Sequence, residues 1–177
     1  MPQTLIQGQR GVGPNTIRAM RVSIITISDS VSAGYREDGS GKALALRCRE
    51  LGWEIVSASI LPDEESAIRA QISTGADEGK SDLILTTGGT GLGPRDVTPE
   101  ATASLATRLV PGLAERMRQV GSAKNPNAVL SRAVVAIRGT TLIVNLPGSP
   151  RGAVESFDAI AELLPHAVSV LHGARHD

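Results

Sequence analysis

The clearest structural pattern in the chain is Leu-Ile-Leu-Thr-Thr-Gly-Gly-Thr-Gly-Leu-Gly-Pro-Arg-Asp-Val-Thr-Pro, residues 83 to 99. It begins as an apolar run typical of a buried strand and continues into a loop rich in glycine and threonine. The loop ends at Thr98 and Pro99, a hydroxyl suited to a helix N-cap followed by a proline suited to the first helical turn. The stretch therefore predicts a strand, a loop and a helix in succession, the unit from which α/β folds are built.

The loop has the composition of an anion site. Its three glycines allow positive φ angles and a close approach of the backbone, so that N–H groups can point at anionic oxygens. Three threonines add hydroxyl donors, and one carboxylate comes just before the predicted helix N-terminus. It is not a Walker A loop, because no Gly-Lys-Ser/Thr follows, and it does not match the dinucleotide motif of a first βα unit. These residues are Thr86, Thr87, Gly88, Gly89, Thr90, Gly91 and Asp96.

Strand-like and helical patterns alternate on both sides of this unit. We predict strands at 22–27, 53–60, 82–87, 133–137 and 141–146, and helices at 41–51, 66–76, 99–109, 111–117 and 150–164. Arg138-Gly139 predicts a small β-hairpin between the last two strands, Pro165 is expected to end or kink the last helix, and 121–127 is a candidate lid or interface loop. The fold class is α/β: a three-layer, doubly wound, mostly parallel sheet with helices on both faces, in a single domain.

Composition excludes several classes of partner. The chain has 177 residues, enough for one good-sized core, and its 18 basic and 18 acidic residues cancel. The balanced charge and the small number of aromatic residues, three in all, argue against a nucleic-acid partner. The chain contains no apolar stretch of about 18 residues, so no membrane span is predicted. The single cysteine, Cys48, cannot form an internal disulfide and is expected to fill the core, which fits the reducing cytoplasm.

The ends of the chain are expected to lie outside the folded domain. Residues 1–20 lack the apolar middle of a signal peptide and predict a disordered tail, followed by a domain at 21–172 and a flexible tail at 173–177. The histidines, His166, His172 and His176, all lie near the C-terminus, without the spacing of metal ligands or of a catalytic triad.

Four predicted strands end in loops with polar or turn residues, and ligands of doubly wound sheets bind outside the carboxyl ends of the strands. Besides the loop at 87–96, these are Ser28-Asp29-Ser30 with a glycine-containing loop through Asp38 and Gly41, Pro62-Asp63-Glu64, and Pro147-Gly148-Ser149. A purely structural alternative exists for each of these three, since acids are favoured in a first helical turn and Pro-Gly-Ser is common in strand-to-helix turns.

Two of these acids, Asp63 and Asp96, are predicted at neighbouring strand ends beside the loops. Paired carboxylates next to N–H-rich loops are suited to Mg²⁺ that bridges nucleotide phosphates, because Mg²⁺ is usually held by one or two carboxylates plus phosphate oxygens. The pattern therefore indicates transfer of a phosphoryl or nucleotidyl group, in which positioning and electrostatics supply most of the catalysis.

With these loops assembled, the chain closely resembles the MogA/MoaB-type family of molybdenum cofactor biosynthesis proteins, which includes the G domain of animal gephyrin and its plant counterpart. The resemblance extends over residues 21–171. The matching motifs lie at 27–30, 61–64, 86–91, 94–100, 130–132, 137–139 and 145–150.

The resemblance implies a molybdopterin adenylyltransferase, in which the pterin's terminal phosphate attacks the α-phosphate of MgATP and pyrophosphate leaves. It also implies a homotrimer and a downstream molybdenum-insertion protein as partner. It assigns catalysis and Mg²⁺ binding to Asp63 and Asp96. The predicted substrate-binding residues combine those that the resemblance implies with their neighbours at the strand ends. They are Ser28, Asp29, Thr87, Gly88, Gly89, Thr90, Gly91, Ser131, Pro147, Gly148 and Ser149.

Two other functions of the same fold remain as alternatives. A non-catalytic, MoaB-like module would bind the pterin without forming an adenylylated product. A CinA-like hydrolase would cleave a nucleotide at the same rate without any pterin. Both acids of the pair, Asp63 and Asp96, are present in the chain, which favours the adenylyltransferase.

Overall fold

A computed structural model describes residues 18–174, so the predicted tails lie outside the described residues except for positions 18–20, 173 and 174. The predicted doubly wound α/β fold is confirmed. Within the described range the strands form one sheet in the order β2-β1-β3-β6-β5-β4. Their bounds are β1 (Arg21–Ile27), β2 (Glu54–Leu61), β3 (Leu83–Thr87), β4 (Arg108–Leu109), β5 (Val135–Arg138) and β6 (Thr141–Leu146).

The sheet is parallel in its first four strands and antiparallel at one edge. Strand β1 pairs in parallel with β2 and β3, and β3 pairs in parallel with β6. Strand β5 is antiparallel to both β6 and β4, so the predicted hairpin is confirmed and belongs to the same sheet. The chain winds outward in both directions from β1 and β3, and the crevice between these two strands is the topological switch point where α/β proteins bind ligands.

Helices cover both faces. Their bounds are α1 (Asp29–Ser32), α2 (Gly39–Glu50), α3 (Glu65–Asp77), α4 (Thr98–Leu105), α5 (Pro111–Ser122), α6 (Pro150–Asp158) and α7 (Leu164–Leu171). Short 3₁₀ segments occur at Pro126–Leu130 and Ala161–Leu163.

Alternation along the strands divides the core into two clusters. In β1, Ile24 packs into the cluster with α2, α5, α6 and α7, whereas Ile25 packs into the cluster with α3 and α4. In β3, Leu85 and Ile84 divide in the same way. Side chains of successive strand residues point to opposite faces, so both faces of the central strands are buried and the molecule has three layers.

The predicted helix at 99–109 is wrong at its end. Helix α4 ends at Leu105, and Arg108–Leu109 form the edge strand β4. Thr107, just before β4, also bonds to β5, since its N–H donates to the carbonyl oxygen of Ile137 (2.8 Å). Local helical spacing was overridden here by pairing with a strand that lies about 30 residues further along the chain.

The predicted last helix at 150–164 is also too long. Helix α6 ends at Asp158, and a turn with a 3₁₀ segment follows before α7 begins at Leu164. Pro165 therefore neither ends nor kinks a helix. It lies in the first turn of α7, where a missing N–H costs nothing.

An ion cluster closes the amino ends of the central strands. Asp82, only 5% exposed, accepts hydrogen bonds from the guanidinium groups of Arg18 and Arg21, and His172 at the end of α7 lies 3.4 Å from it. Burial alone would raise the pKa of Asp82, but the hydrogen bonds from Arg21 and Arg18 outweigh it and lower the pKa to about 2. Within residues 18–174, none of the helices has the length and apolarity that a membrane span requires.

Candidate active site

A cavity of about 470 Å³ lies at the carboxyl ends of β1, β2, β3 and β6. Its walls come from all four predicted strand-end loops and from the first residues of α2 and α6. The lining residues are Thr26, Ile27, Ser28, Val31, Arg36, Glu37, Asp38, Gly39, Ser40, Asp63, Thr87, Gly88, Gly89, Asp96, Gly148, Ser149 and Pro150.

The glycine pair that follows β3 forms one wall of the cavity, and the packing there leaves no room for a side chain at either position. Gly88 and Gly89 have φ angles of +104° and +64°. A Cβ on Gly88 would lie 2.1 Å from the carbonyl oxygen of Ile27, and one on Gly89 would lie 3.1 Å from Asp63 Oδ1. The positive φ angles of Gly88 and Gly89 agree with the sequence prediction, but the close approach that the structure shows is to β1 and to Asp63.

Contrary to the prediction, the N–H of Gly88 is not available to an anion in the cavity. It donates to the carbonyl oxygen of Leu146 (3.0 Å), and the Thr87 hydroxyl donates to the carbonyl oxygen of Pro147 (2.6 Å). These bonds join the loop after β3 to the loop after β6, because the ends of these paired strands are adjacent. The residues line the cavity but use part of their hydrogen-bonding capacity to hold its walls together.

Asp63 is held by reciprocal hydrogen bonds with Asp29. The N–H of Asp29 donates to Asp63 Oδ2, and the N–H of Asp63 donates to Asp29 Oδ1, each at 2.9 Å. Burial raises the pKa of Asp63, and the negative charges of Asp29 and Asp96 raise it further. The two predicted acids therefore interact electrostatically across the cavity that they line.

Asp29 itself is not among the residues that line the cavity. Arg95 donates to both of its carboxylate oxygens, at 3.0 and 2.9 Å, and these hydrogen bonds lower its pKa. Asp29 thus connects the loop of Asp63 to the loop that carries Arg95 and Asp96. The strands before these acids, β2 and β3, are not neighbours as predicted, because β1 lies between them. The acids approach each other across the end of β1.

Asp96 lies in a loop without regular structure between β3 and α4. Its Oδ2 accepts the N–H of Gly93 (2.8 Å), and its own N–H donates to the carbonyl oxygen of Gly93 (3.0 Å). Gly91, another predicted residue, is not among the residues that line the cavity, but a Cβ there would lie 3.0 Å from Asp96 Oδ2. The glycines of this loop leave room for the carboxylate.

Among the other predicted residues, Ser28, Gly148 and Ser149 line the cavity. The remaining three, which are Thr90, Ser131 and Pro147, do not. The Thr90 carbonyl oxygen accepts the N–H of Arg132 (2.9 Å), so Thr90 belongs to the support of the loop. Ser131 and Pro147 border a separate cavity of only about 40 Å³ against α5.

The sequence analysis placed the loop after β1 at the site but named none of residues 36–40 among the site residues, although all five line the cavity. Asp38 accepts the Thr26 hydroxyl (2.8 Å) with one carboxylate oxygen and the N–H of Gly41 (2.8 Å) with the other, which caps α2 and fixes it against β1. The helix predicted at 41–51 begins two residues earlier, at Gly39, and Asp38 as its N-cap is the signal that could have placed this helix N-terminus at the cavity. Arg36 is the only positively charged side chain among the described residues that line the cavity.

The donor set fits Mg²⁺ that arrives with a nucleotide. Within residues 18–174, no three histidine, cysteine or acidic side chains are grouped to hold a metal, so the described protein atoms offer no complete cage. Asp63 and Asp96 offer two hard carboxylates. Burial, and then the negative charges of Asp29 and Asp96, raise the pKa of Asp63, and a divalent cation would offset both effects. Asp63 and Asp96 would hold the ion, and phosphate and water oxygens would supply its other ligands.

Comparison with known proteins gives a consistent result. A family model described as a probable molybdopterin binding domain matches residues 23–166. A Helicobacter pylori (strain J99) protein called molybdopterin adenylyltransferase is 36% identical over 164 residues, which cover 89% of this chain and 90% of that protein. The crystal structure of the molybdopterin biosynthesis enzyme MoaB from Thermus thermophilus is 48% identical, covers 89% of this chain and 99% of its own, and superimposes with a TM-score of 0.80.

A more distant structure shares the fold alone. CinA from Thermoplasma acidophilum is 17% identical and superimposes over 82% of this chain with a TM-score of 0.64. Its similarity therefore carries no argument for a common activity.

Proposed function

Since the chain belongs to the family of molybdopterin-binding domains, we propose that it is a molybdopterin adenylyltransferase, which transfers AMP from MgATP to the terminal phosphate of molybdopterin. The observation that carries this proposal is the meeting of Asp63 and Asp96 with the Gly88-Gly89 wall in one cavity at the switch point of the sheet. The 36% identity to a protein called by that activity, over nearly the full length of both chains, supports it.

In this reaction an oxygen of the pterin phosphate attacks the α-phosphorus of ATP, a new P–O bond forms, and the bond to the β-phosphate oxygen breaks to release pyrophosphate. The attacking phosphate is already an anion near neutral pH, so the site needs orientation more than a strong base. Asp63 and Asp96 would hold the magnesium ion, which supplies positive charge where negative charge develops.

The remaining walls would bind and orient the two anionic substrates. The N-termini of α2 and α6 begin at the cavity, with Asp38 and Ser149 as caps, and their dipoles favour negative charge there. Arg36 adds one positive charge at the same opening. A cavity lined by Asp63 and Asp96 and by two helix N-termini suits a phosphate chain carried with a divalent cation.

Incubation of the purified protein with molybdopterin, ATP and Mg²⁺ tests the proposal. We expect adenylylated molybdopterin and pyrophosphate in equal amounts, and no product after removal of Mg²⁺ with a chelator. Binding of the pterin without product would establish the binding module instead. Cleavage of ATP at the same rate without pterin would establish a hydrolase.

The assembly and surroundings of the enzyme are also proposed. We propose a homotrimer that works in the cytoplasm and passes its product to a molybdenum-insertion protein. Large apolar side chains such as Leu46, Val56 and Ile60 are exposed on the single chain, and association would remove such surface from water. Sedimentation equilibrium should give three times the mass of one 18.4 kDa chain, and a single-chain mass would contradict the trimer.

A further inference from the structure

One side chain outside the cavity holds the loop that carries Asp96. Arg132 follows the 3₁₀ segment Pro126–Leu130 and extends its guanidinium across to this loop. Its Nε donates to the carbonyl oxygen of Gly91 (2.7 Å), and its Nη2 donates to the carbonyl oxygen of Asp96 (2.5 Å). Its Nη1 also pairs with the carboxylate of Glu100 in the first turn of α4. The single planar guanidinium thus bonds to the backbone at the start of the loop, to the backbone of Asp96 and to the helix that follows.

Two long-range side-chain contacts hold this loop, and the one made by Arg132 is the less exposed. The other is the pair of hydrogen bonds from Arg95 to Asp29, whose side chains are 61% and 48% exposed. Residues 91–97 contain no helix or strand, and positions 92–95 are exposed. The two hydrogen bonds between Asp96 and Gly93 fix the shape of the turn but not its position above the sheet. Arg132, whose side chain is 34% exposed, connects this turn to the segment that leads into β5.

We propose that Arg132 is a positioning residue that holds the Asp96 carboxylate in place opposite Asp63, an inference that rests on the proposed adenylyl transfer. Arginine is suited to this role because its rigid fork donates several hydrogen bonds in one plane, whereas lysine offers a single flexible ammonium group. Arg132→Lys therefore keeps the charge and loses the simultaneous contacts with the two carbonyl oxygens. A shift of about 1 Å in a reacting geometry can lower a rate by roughly 100-fold.

The chain offers a matched control in Arg138. Its side chain is 28% exposed, donates to both carboxylate oxygens of Asp77 at 2.7 Å, and donates to the carbonyl oxygen of Leu105 (3.2 Å). It resembles Arg132 in burial and in its mixture of carboxylate and carbonyl partners. It is not among the residues that line the cavity.

The experiment compares Arg132→Lys with Arg138→Lys, and adds Glu100→Gln, which removes a charged partner of Arg132 but keeps its contacts with the two carbonyl oxygens. For each variant, kcat, the KM for ATP and the melting temperature are measured with molybdopterin and Mg²⁺. We expect kcat of Arg132→Lys to fall roughly 10- to 100-fold with KM changed less than about threefold. Glu100→Gln should lose less of its kcat, and Arg138→Lys should keep the wild-type kcat while its melting temperature falls as far as that of Arg132→Lys.

The outcomes separate this proposal from the proposed function. A wild-type protein that forms no adenylylated pterin overturns both. An active wild type with Arg132→Lys as active as Arg138→Lys overturns the positioning role alone. A rise in KM with unchanged kcat also overturns it, because that result would show that Arg132 contributes to ATP binding rather than to the geometry of the reaction.

Discussion

At the level of single residues, the site concentrates negative charge around Asp63. Asp63 carries a raised pKa because it is partly buried and lies near Asp29 and Asp96, so its ionised form costs folding free energy. The hydrogen bond from the backbone N–H of Asp29 and the positive charge of Arg95 act in the opposite direction but do not outweigh these causes. A raised carboxyl pKa caused by burial and by neighbouring acids in a cavity is typical of a functional site rather than of a structural one.

The first prediction concerns the two acids. Asp63→Asn and Asp96→Asn keep the size of each side chain and remove its charge, so each should lower kcat by roughly 100-fold or more, because each would remove a ligand of the Mg²⁺ proposed for the transition state. Pterin binding, measured by fluorescence or calorimetry, should change much less. Asp77→Asn is the control, since Asp77 pairs with Arg138 away from the cavity.

Wild-type turnover in both acid variants would contradict the assignment of the site. Loss of turnover in only one would restrict the assignment to that residue. Loss in Asp77→Asn as well would point to a general effect of removing negative charge.

The second prediction uses Asp82, whose pKa of about 2 lies below its ordinary value of 3.8. A carboxyl with a lower pKa in the folded state stabilises the fold fully above the ordinary value, and the contribution disappears as the pH falls toward 2. The shift corresponds to about 2 kcal/mol for this nearly buried side chain. The stability difference between the wild type and Asp82→Asn should therefore shrink by about that amount between pH 5 and pH 2.

Urea unfolding at a series of pH values measures this difference. Other titrating groups contribute equally to both proteins and cancel. Asp77→Asn again provides the comparison, because its exposed ion pair is screened by solvent and should give a smaller change. A constant difference between the wild type and Asp82→Asn would show that the ion cluster does not stabilise the fold.

At the level of elements, the sequence predicted the central units well and the edges poorly. Strands such as β3 and β6 are apolar runs bounded by turn residues, and their identity is decided locally. Strand β4 has only two residues and exists because β5 is beside it, so no local pattern could reveal it. The end of α6 and the start of α7 were joined into one predicted helix because the apolar spacing continues through the turn between them.

The third prediction concerns the turn after β3. Gly88→Ala should destabilise the fold by roughly 3 kcal/mol or more, because the added Cβ would lie 2.1 Å from the Ile27 carbonyl oxygen and β1 would have to move. Gly79→Ala is the control, since Gly79 also has a positive φ (+63°) but has nothing within 4 Å of an added Cβ. It should cost only about 1 kcal/mol of strain.

Urea unfolding of both variants measures the difference between strain alone and strain with a steric clash. Equal costs would mean that the loop can move away from β1, and the close approach of its backbone would then contribute nothing to the geometry of the cavity.

At the level of the whole molecule, the sequence located the site by topology and could not supply its internal contacts. The rule that ligands bind at the carboxyl ends of strands brought Asp63 and Asp96 together correctly. The exchange of hydrogen bonds between Asp29 and Asp63, and the reach of Arg132 to Asp96, join residues more than 30 positions apart. Such contacts depend on how loops cross the end of the sheet, which no local pattern encodes.

The last prediction follows from the two ends of the sheet. The Asp82 cluster lies before β3 and the cavity after it, so five strand residues, or about 16 Å, separate them. Effects at such a distance usually add. The double variant Asp63→Asn with Asp82→Asn should therefore change the free energy of unfolding by the sum of the two single changes, within about 0.5 kcal/mol.

The two ends should also differ in their effect on activity. Well below its melting temperature, Asp82→Asn should keep kcat within about twofold. Asp63→Asn should be at least as stable as the wild type at pH 7, because it removes a partly buried negative charge that also lies near Asp29 and Asp96. Unfolding curves and kcat for the three variants test both statements. An Asp82→Asn protein that is folded but inactive would show that strand β3 transmits changes from one end of the sheet to the other, and the division between a stabilising end and a catalytic end would be wrong.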